Sequence, residues 1–138
     1  MMTIRFLQSP TKEEVARIVE LYKAQGWWEE GKEGPDLVVR IIQGSHYFAA
    51  AEVEGRIVGI GRAISDRASD AYVQDVLVDP DFRKQGIGRL IVQELTEKVH
   101  GDGLRWIGVV AEKGSAPFYT PLGFEEMPGA TPMLKTRK

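Results

Sequence analysis

Within the stretch Asp75 to Val99, five basic or glycine positions crowd into Arg83 to Arg89, and their order suggests chemistry. An apolar run, Val76-Leu77-Val78, breaks at Asp79-Pro80, and Arg83, Lys84, Gly86, Gly88 and Arg89 follow. Beyond them Ile87, Leu90, Ile91, Leu95 and Val99 recur at spacings of three and four, which predicts a helix beginning near Gly86 or Ile87. The first turn of that helix has free backbone N–H groups and the positive end of the helix dipole. Glycines there let a ligand come close to the backbone, and the basic side chains add charge of the same sign. The stretch therefore reads as an anion site, best suited to phosphate. It is neither of two familiar phosphate loops. Gly86-Ile87-Gly88 lacks the third glycine of a dinucleotide fingerprint, and the one Gly-Lys pair, Gly31-Lys32, is followed by Glu33 in place of Ser or Thr.

Other chemistries find little support. With no cysteine there is no thiol nucleophile, disulfide framework or thiolate metal site. His46 and His100 stand far apart with no ligand spacing to acidic residues, so no metal is expected. A net charge of −2 argues against nucleic-acid binding. No apolar run reaches the length of a membrane span, and "MMTIRFLQSP" lacks the apolar core of a signal peptide. A cytoplasmic location and no membrane partner are the default expectations.

The elements that must position the loop follow from patterning. The 138 residues suit one domain, residues 1–138, with no repeat or long linker. Thr3 to Leu7 reads as a strand, and Thr11-x-x-Glu14 as a capping box opening a helix with Val15, Ile18, Val19 and Tyr22 on one face. "AQGWWEEGKEGP" reads as a loop, and Pro35 to Ile42 as a second short helix. "YFAAAEV" and "RIVGIGRAIS" form a hairpin around Glu54-Gly55, and "AYVQDVLV" is the next strand. After the long helix come a strand at "RWIGVVA", a short helix or turn at "GSAPFYTPLG", a strand start at "FEEM" and a last edge strand at "TPMLK". The expected class is α/β (α+β): a mixed, mostly antiparallel central sheet of six to seven strands with helices on both faces.

Two motifs resemble the GNAT superfamily of acetyl-CoA-dependent N-acetyltransferases. Arg83-Lys84-Gln85-Gly86-Ile87-Gly88 matches the family's Gln/Arg-x-x-Gly-x-Gly/Ala turn, and Phe118-Tyr119-x-x-x-Gly123-Phe124 resembles its second motif. The resemblance implies a sheet split around acetyl-CoA as co-substrate. Backbone groups of Val76, Leu77 and Val78 would pair with the pantetheine arm. The loop from Arg83 through Lys84, Gln85, Gly86, Ile87 and Gly88 to Arg89 would hold the pyrophosphate. Phe118 would lie beside the cofactor, and Tyr119 would give a proton to the leaving thiolate. The family's asparagine for the pantetheine is missing from "AEKGSAP", where Ser115 is the available hydroxyl. Relatives often pair, so a homodimer belongs to the same expectation.

Acetyl transfer to an amine by direct attack in a ternary complex needs alignment, carbonyl polarisation and a proton for sulfur, with no enzyme nucleophile. For the base, the family's usual position falls at Tyr72, so that role does not transfer; Asp75 is the first candidate, with Glu112, Glu29, Glu30 and a water relay behind it. Ala63-x-Ser65-Asp66 and Asp75-Val76-Leu77-Val78-Asp79-Pro80 are similar to plant and cyanobacterial members linked with aromatic amines such as serotonin. Trp27, Trp28 and Glu29 would then line the pocket for a small-molecule amine. Protein or peptide N-acetylation, and a nonenzymatic acyl-CoA-binding module, are the competing readings.

Overall fold

The computed structural model describes residues 1–112 and 114–137. Along them run β1 (Met2–Phe6), α1 (Lys12–Gln25), α2 (Pro35–Gly44), β2 (Tyr47–Val53), β3 (Arg56–Ser65), β4 (Asp70–Val78), α3 (Ile87–Gly101), β5 (Trp106–Val109) and the single turn α4 (Ala116–Tyr119). Local chemistry sets several of these boundaries. Glu14 N–H donates to Thr11 Oγ1 at 3.1 Å and Thr11 N–H donates to Glu14 Oε1 at 2.8 Å, so the capping box closes. Glu54 and Gly55 take φ of 50° and 78°, the hand that matches the twist of a two-residue hairpin between β2 and β3.

The sheet order is β1-β2-β3-β4-β5. The first three pairings are antiparallel, and α3 carries the chain over to make β4 and β5 parallel. Helices cover both faces. On one, Ile18, Leu21, Val38 and Ile42 of α1 and α2 pack with Phe48, Ile60 and Leu77. On the other, Ile87, Ile91, Leu95 and Val99 of α3 pack with Ala49, Ala51, Ala71 and Val73. The sheet presents small residues to α3, and two glycines extend that choice. A Cβ on Gly61 would stand 2.6 Å from Ile91 Cγ2, and one on Gly59 would stand 3.1 Å from Ile91 Cδ1. Leucine or valine at either position would lift α3 off the sheet.

Two irregularities in β4 matter for function. Ile60 pairs with Leu77 while Arg62 pairs with Gln74, so Asp75 and Val76 both stand opposite Gly61: a β-bulge. Asp75 takes φ of 55° there, in the left-handed region. Pairing with β5 covers only Asp70–Val73, opposite Trp106–Val109. The rest of β4, from Gln74 to Val78, has a strand neighbour among the described residues only on the β3 side.

The expectation of six to seven strands is not met: five are present among the described residues. "FEEM" and "TPMLK" form no strand. Pro128 and Pro132 each remove a ladder donor. Met133 and Leu134 are 91% and 88% exposed, so the segment buries neither face against the sheet.

Candidate active site

The site begins at the exit of β4. Asp79 Oδ1 accepts from Asp81 N–H at 2.9 Å and Oδ2 accepts from Arg17 Nη2 at 2.6 Å, which pins the strand end to α1 and turns the chain into the basic loop. Those two donors, the Asp81 amide first, hold the Asp79 carboxyl below its ordinary range. Asp79 N–H donates to Val58 O at 2.7 Å. Strand groups alternate sides, so Leu77 also turns its backbone groups toward β3, whereas Val76 and Val78 turn theirs to the open side. Of the three residues expected to offer backbone groups to a ligand, Val76 and Val78 thus face the open side, where Val78 O accepts from Arg83 Nε, and Leu77 faces β3 with its side chain in the core.

The loop reaches α3 through left-handed Lys84 (φ 64°) and left-handed Gly86 (φ 82°). Gly86 is the N-cap and brings no side-chain bond to the helix end. The amides of Ile87, Gly88 and Arg89 thus have no partner within the helix. Apart from Gly86 and its chain neighbours, no atom lies within 4 Å of where a Gly86 Cβ would stand, so the space beside the helix start is open there. Gly88 differs: a Cβ there would meet the Phe118 ring at 3.3 Å. Phe118 thus packs on the first turn of α3. Lys84, Gln85 and Arg89 are exposed around this opening. Arg83 is also exposed, but it folds back, its Nε donating to Val78 O and its Nη2 to Gln25 Oε1, each at 3.2 Å.

Tyr119, at the end of α4, sits edge-on to Phe118 at 4.9 Å and to Phe124 at 5.5 Å between ring centroids. Burial first, then the charge of Glu112, push its hydroxyl above the ordinary tyrosine pKa, which keeps the proton in place near neutrality. Ser115 donates its hydroxyl to Glu112 O at 2.7 Å and so closes its own turn. Tyr72 lies in the paired part of β4, edge-on to Trp106 at 5.1 Å.

On the face covered by α1 and α2, a cavity of about 160 Å³ opens beside the bulge. Its lining is Tyr22, Trp27, Trp28, Glu33, Leu37, Ile41 and Asp75. Asp75 Oδ2 accepts from Tyr22 OH at 3.0 Å and from Arg62 Nε at 2.8 Å. Burial first, then the Asp75 charge, push the Tyr22 hydroxyl well above its ordinary pKa, so it remains a donor. The structure thus brings together Trp27, Trp28 and Asp75, all marked from sequence. It does not bring Glu29 with them: that side chain is 65% exposed and paired with Lys32 at 3.3 Å. Glu30 pairs with Lys23. Glu33 and Tyr22 are the residues sequence reasoning missed. Tyr22 carried a signal, a hydroxyl on an otherwise apolar helix face that needs a buried partner. A larger trough of about 590 Å³ lies between α1 and the β2–β3 hairpin. Within it Arg5 pairs with Glu14 and Glu52 and Arg17 with Glu20, and its lining includes no residue of the basic loop and not Tyr119.

The fold is that of solved acetyltransferases. The chain superposes on a GNAT-family acetyltransferase from Streptococcus pneumoniae with a TM-score of 0.79 at 23% identity, covering 100% of this chain and 99% of that one. It superposes on glucosamine-6-phosphate N-acetyltransferase from Arabidopsis thaliana with a TM-score of 0.78 at 18% identity, covering 100% and 99%. The model of the acetyltransferase (GNAT) domain matches residues 23–132, and the chain belongs to that family. It is 37% identical over 75 residues to GCN5-related N-acetyltransferase 2, chloroplastic, of Arabidopsis thaliana, covering 54% of this chain and 29% of that protein. It is 37% identical over 87 residues to histone acetyltransferase TAP1 of Glycine max, covering 63% and 37%. The matched stretches thus span about a third of those relatives.

Proposed function

We propose that this domain transfers the acetyl group of acetyl-CoA to the primary amine of a small molecule with an apolar body, an arylalkyl or alkyl amine. The observation that carries the acceptor assignment is the cavity itself: three aromatic rings and the Asp75 carboxylate converge beside the unpaired half of β4. Its volume falls below the roughly 300–1,000 Å³ of drug-sized sites, which favours a compact acceptor. The similarity to serotonin-linked members points the same way.

The residues present fit acetyl-CoA. Unpartnered amides at the N-terminus of α3, with open space over Gly86, suit a pyrophosphate. The outward groups of Val76 and Val78 suit an extended amide-bearing arm laid along the strand. When bound, acetyl-CoA supplies the activated acetyl group: the C–N bond forms as the C–S bond breaks, the amine gives up one proton, and the departing sulfur takes one. The outward amides of β4 polarise the carbonyl oxygen. Asp75 Oδ1, the oxygen not held by Arg62 and Tyr22, takes the proton from nitrogen. Tyr119 gives its hydroxyl proton to sulfur.

A panel of small amines and lysine-bearing peptides, with free thiol followed in the presence of acetyl-CoA, tests this reading. Turnover of arylalkyl or alkyl amines is expected. Turnover of peptides alone would move the assignment to protein acetylation, an activity carried in the name of the soybean relative. Binding of acetyl-CoA with no thiol release for any acceptor would leave only acyl-CoA binding.

A further inference from the structure

We infer that the acceptor carries a second cationic group, held by Glu33, and that the substrate class is a short diamine. The inference rests on the cavity being the acceptor site. It starts from the acidic residues around the α1–α2 loop. Glu29 pairs with Lys32, Glu30 with Lys23, Asp36 with Arg40 and Asp75 with Arg62. Glu33 stands apart. It lines the cavity, is half-buried, and forms no ion pair with any described residue. Its Oε1 accepts from Glu29 N–H at 2.8 Å, which closes the turn; Oε2 has no protein donor among the described residues.

The cavity therefore carries a carboxylate at each of two positions, Asp75 on the sheet and Glu33 on the loop. The rings of Tyr22, Trp27 and Trp28 and the aliphatic side chains of Leu37 and Ile41 make up the rest of its lining. Aromatic faces attract cations, and the aliphatic wall accepts a methylene or phenylene spacer.

Catalytic logic favours the same division. The reacting nitrogen must be neutral to attack, so strong binding of its ammonium form would stabilise the ground state and slow the reaction. A remote ammonium that stays charged adds binding without that penalty. Asp75 serves the nitrogen that reacts and Glu33 the one that does not.

The test uses matched pairs: 1,4-diaminobutane against butylamine, and para-xylylenediamine against benzylamine, with wild-type protein and Glu33→Gln. The glutamine keeps a carbonyl to accept Glu29 N–H, so the turn is retained. Wild-type kcat/KM is expected to favour each diamine, and Glu33→Gln to reduce that preference about ten- to a hundredfold, as for a lost hydrogen bond to a charged group. Calorimetry of diamine binding without acetyl-CoA should show the same loss. Equal use of diamines and monoamines by the wild type, or a preference untouched by Glu33→Gln, would overturn the inference while leaving small-amine acetylation standing. Failure of every amine to bind or to turn over would overturn both.

Discussion

Asp75→Asn separates chemistry from architecture at the bulge. Asparagine is one of the few non-glycine residues that visits left-handed backbone routinely, so the φ of 55° is kept. Its carbonyl oxygen still accepts from Tyr22 OH and Arg62 Nε, but without charge assistance. Exchanging a charged for a neutral hydrogen bond costs about 1 kcal/mol, a melting shift of about 4 °C for a domain of this size. The proton acceptor is lost outright, which costs about a hundred- to ten-thousandfold in turnover, or about 3–5 kcal/mol in the barrier. Asp75→Ala reverses the balance of effects. It adds about 1–2 kcal/mol of backbone strain and leaves the buried Tyr22 hydroxyl without an acceptor, about 1–3 kcal/mol more. Calorimetric melting and thiol-release kinetics on both variants read the two quantities independently. Matched activity losses with a large stability gap between Asn and Ala are expected. If Asp75→Asn turns over at the wild-type rate, the carboxylate is architectural and the base lies elsewhere.

Three further outcomes follow from the geometry. Gly88→Ala pushes on the Phe118 ring, with an overpacking cost of about 1–3 kcal/mol, whereas Gly86→Val mainly strains the left-handed backbone and fills the open space beside it. Titration of acetyl-CoA should show lost affinity in both; full affinity in folded Gly86→Val would refute the pyrophosphate assignment. Tyr119→Phe keeps the ring packing and removes the proton, so turnover should fall about a hundredfold or more with acetyl-CoA affinity held; wild-type turnover would transfer the acid role to water. Because Tyr22 holds its proton above the ordinary value of 10.0, the folded state binds protons that the unfolded state releases there. Stability is full below that pH and should fall as pH rises beyond it, and urea midpoints between about pH 9 and 11 should show a flatter decline in Tyr22→Phe.

The helix N-terminus and its loop were legible because their signals are local: apolar spacing over α3, glycines at its start and basic residues beside them. The capping box at Thr11 and the hairpin at Glu54-Gly55 were legible for the same reason. The bulge was not, since Val76-Leu77-Val78 reads as one continuous apolar run whichever side each residue faces. Asp75 could be suspected as a candidate, but its left-handed backbone and its bonds to Tyr22 and Arg62 come from residues 53 and 13 positions away. Glu29 and Glu33 share a loop and a charge, and only its turn decides which one enters the cavity. Gly59 and Gly61 looked like ordinary strand glycines because the side chain that requires them, Ile91, arrives from another element. The two C-terminal strands were misread because residue types at "FEEM" and "TPMLK" suit strands while the prolines and exposed positions around them do not.

The extra residue in β4 also fixes a parity along the chain. Upstream of it the odd-numbered Ala71 and Val73 face α3; downstream it is the even-numbered Val76 and Val78. Deleting Asp75 would leave Val76 alone opposite Gly61 and restore a regular ladder, with Ile60 still opposite Leu77 and every downstream side chain on its present face. The switch from odd to even is therefore the trace of one added residue that the core on either side does not need. A homologue one residue shorter there would keep the same two packed faces and lose only the local bend and the carboxylate that meets Tyr22 and Arg62.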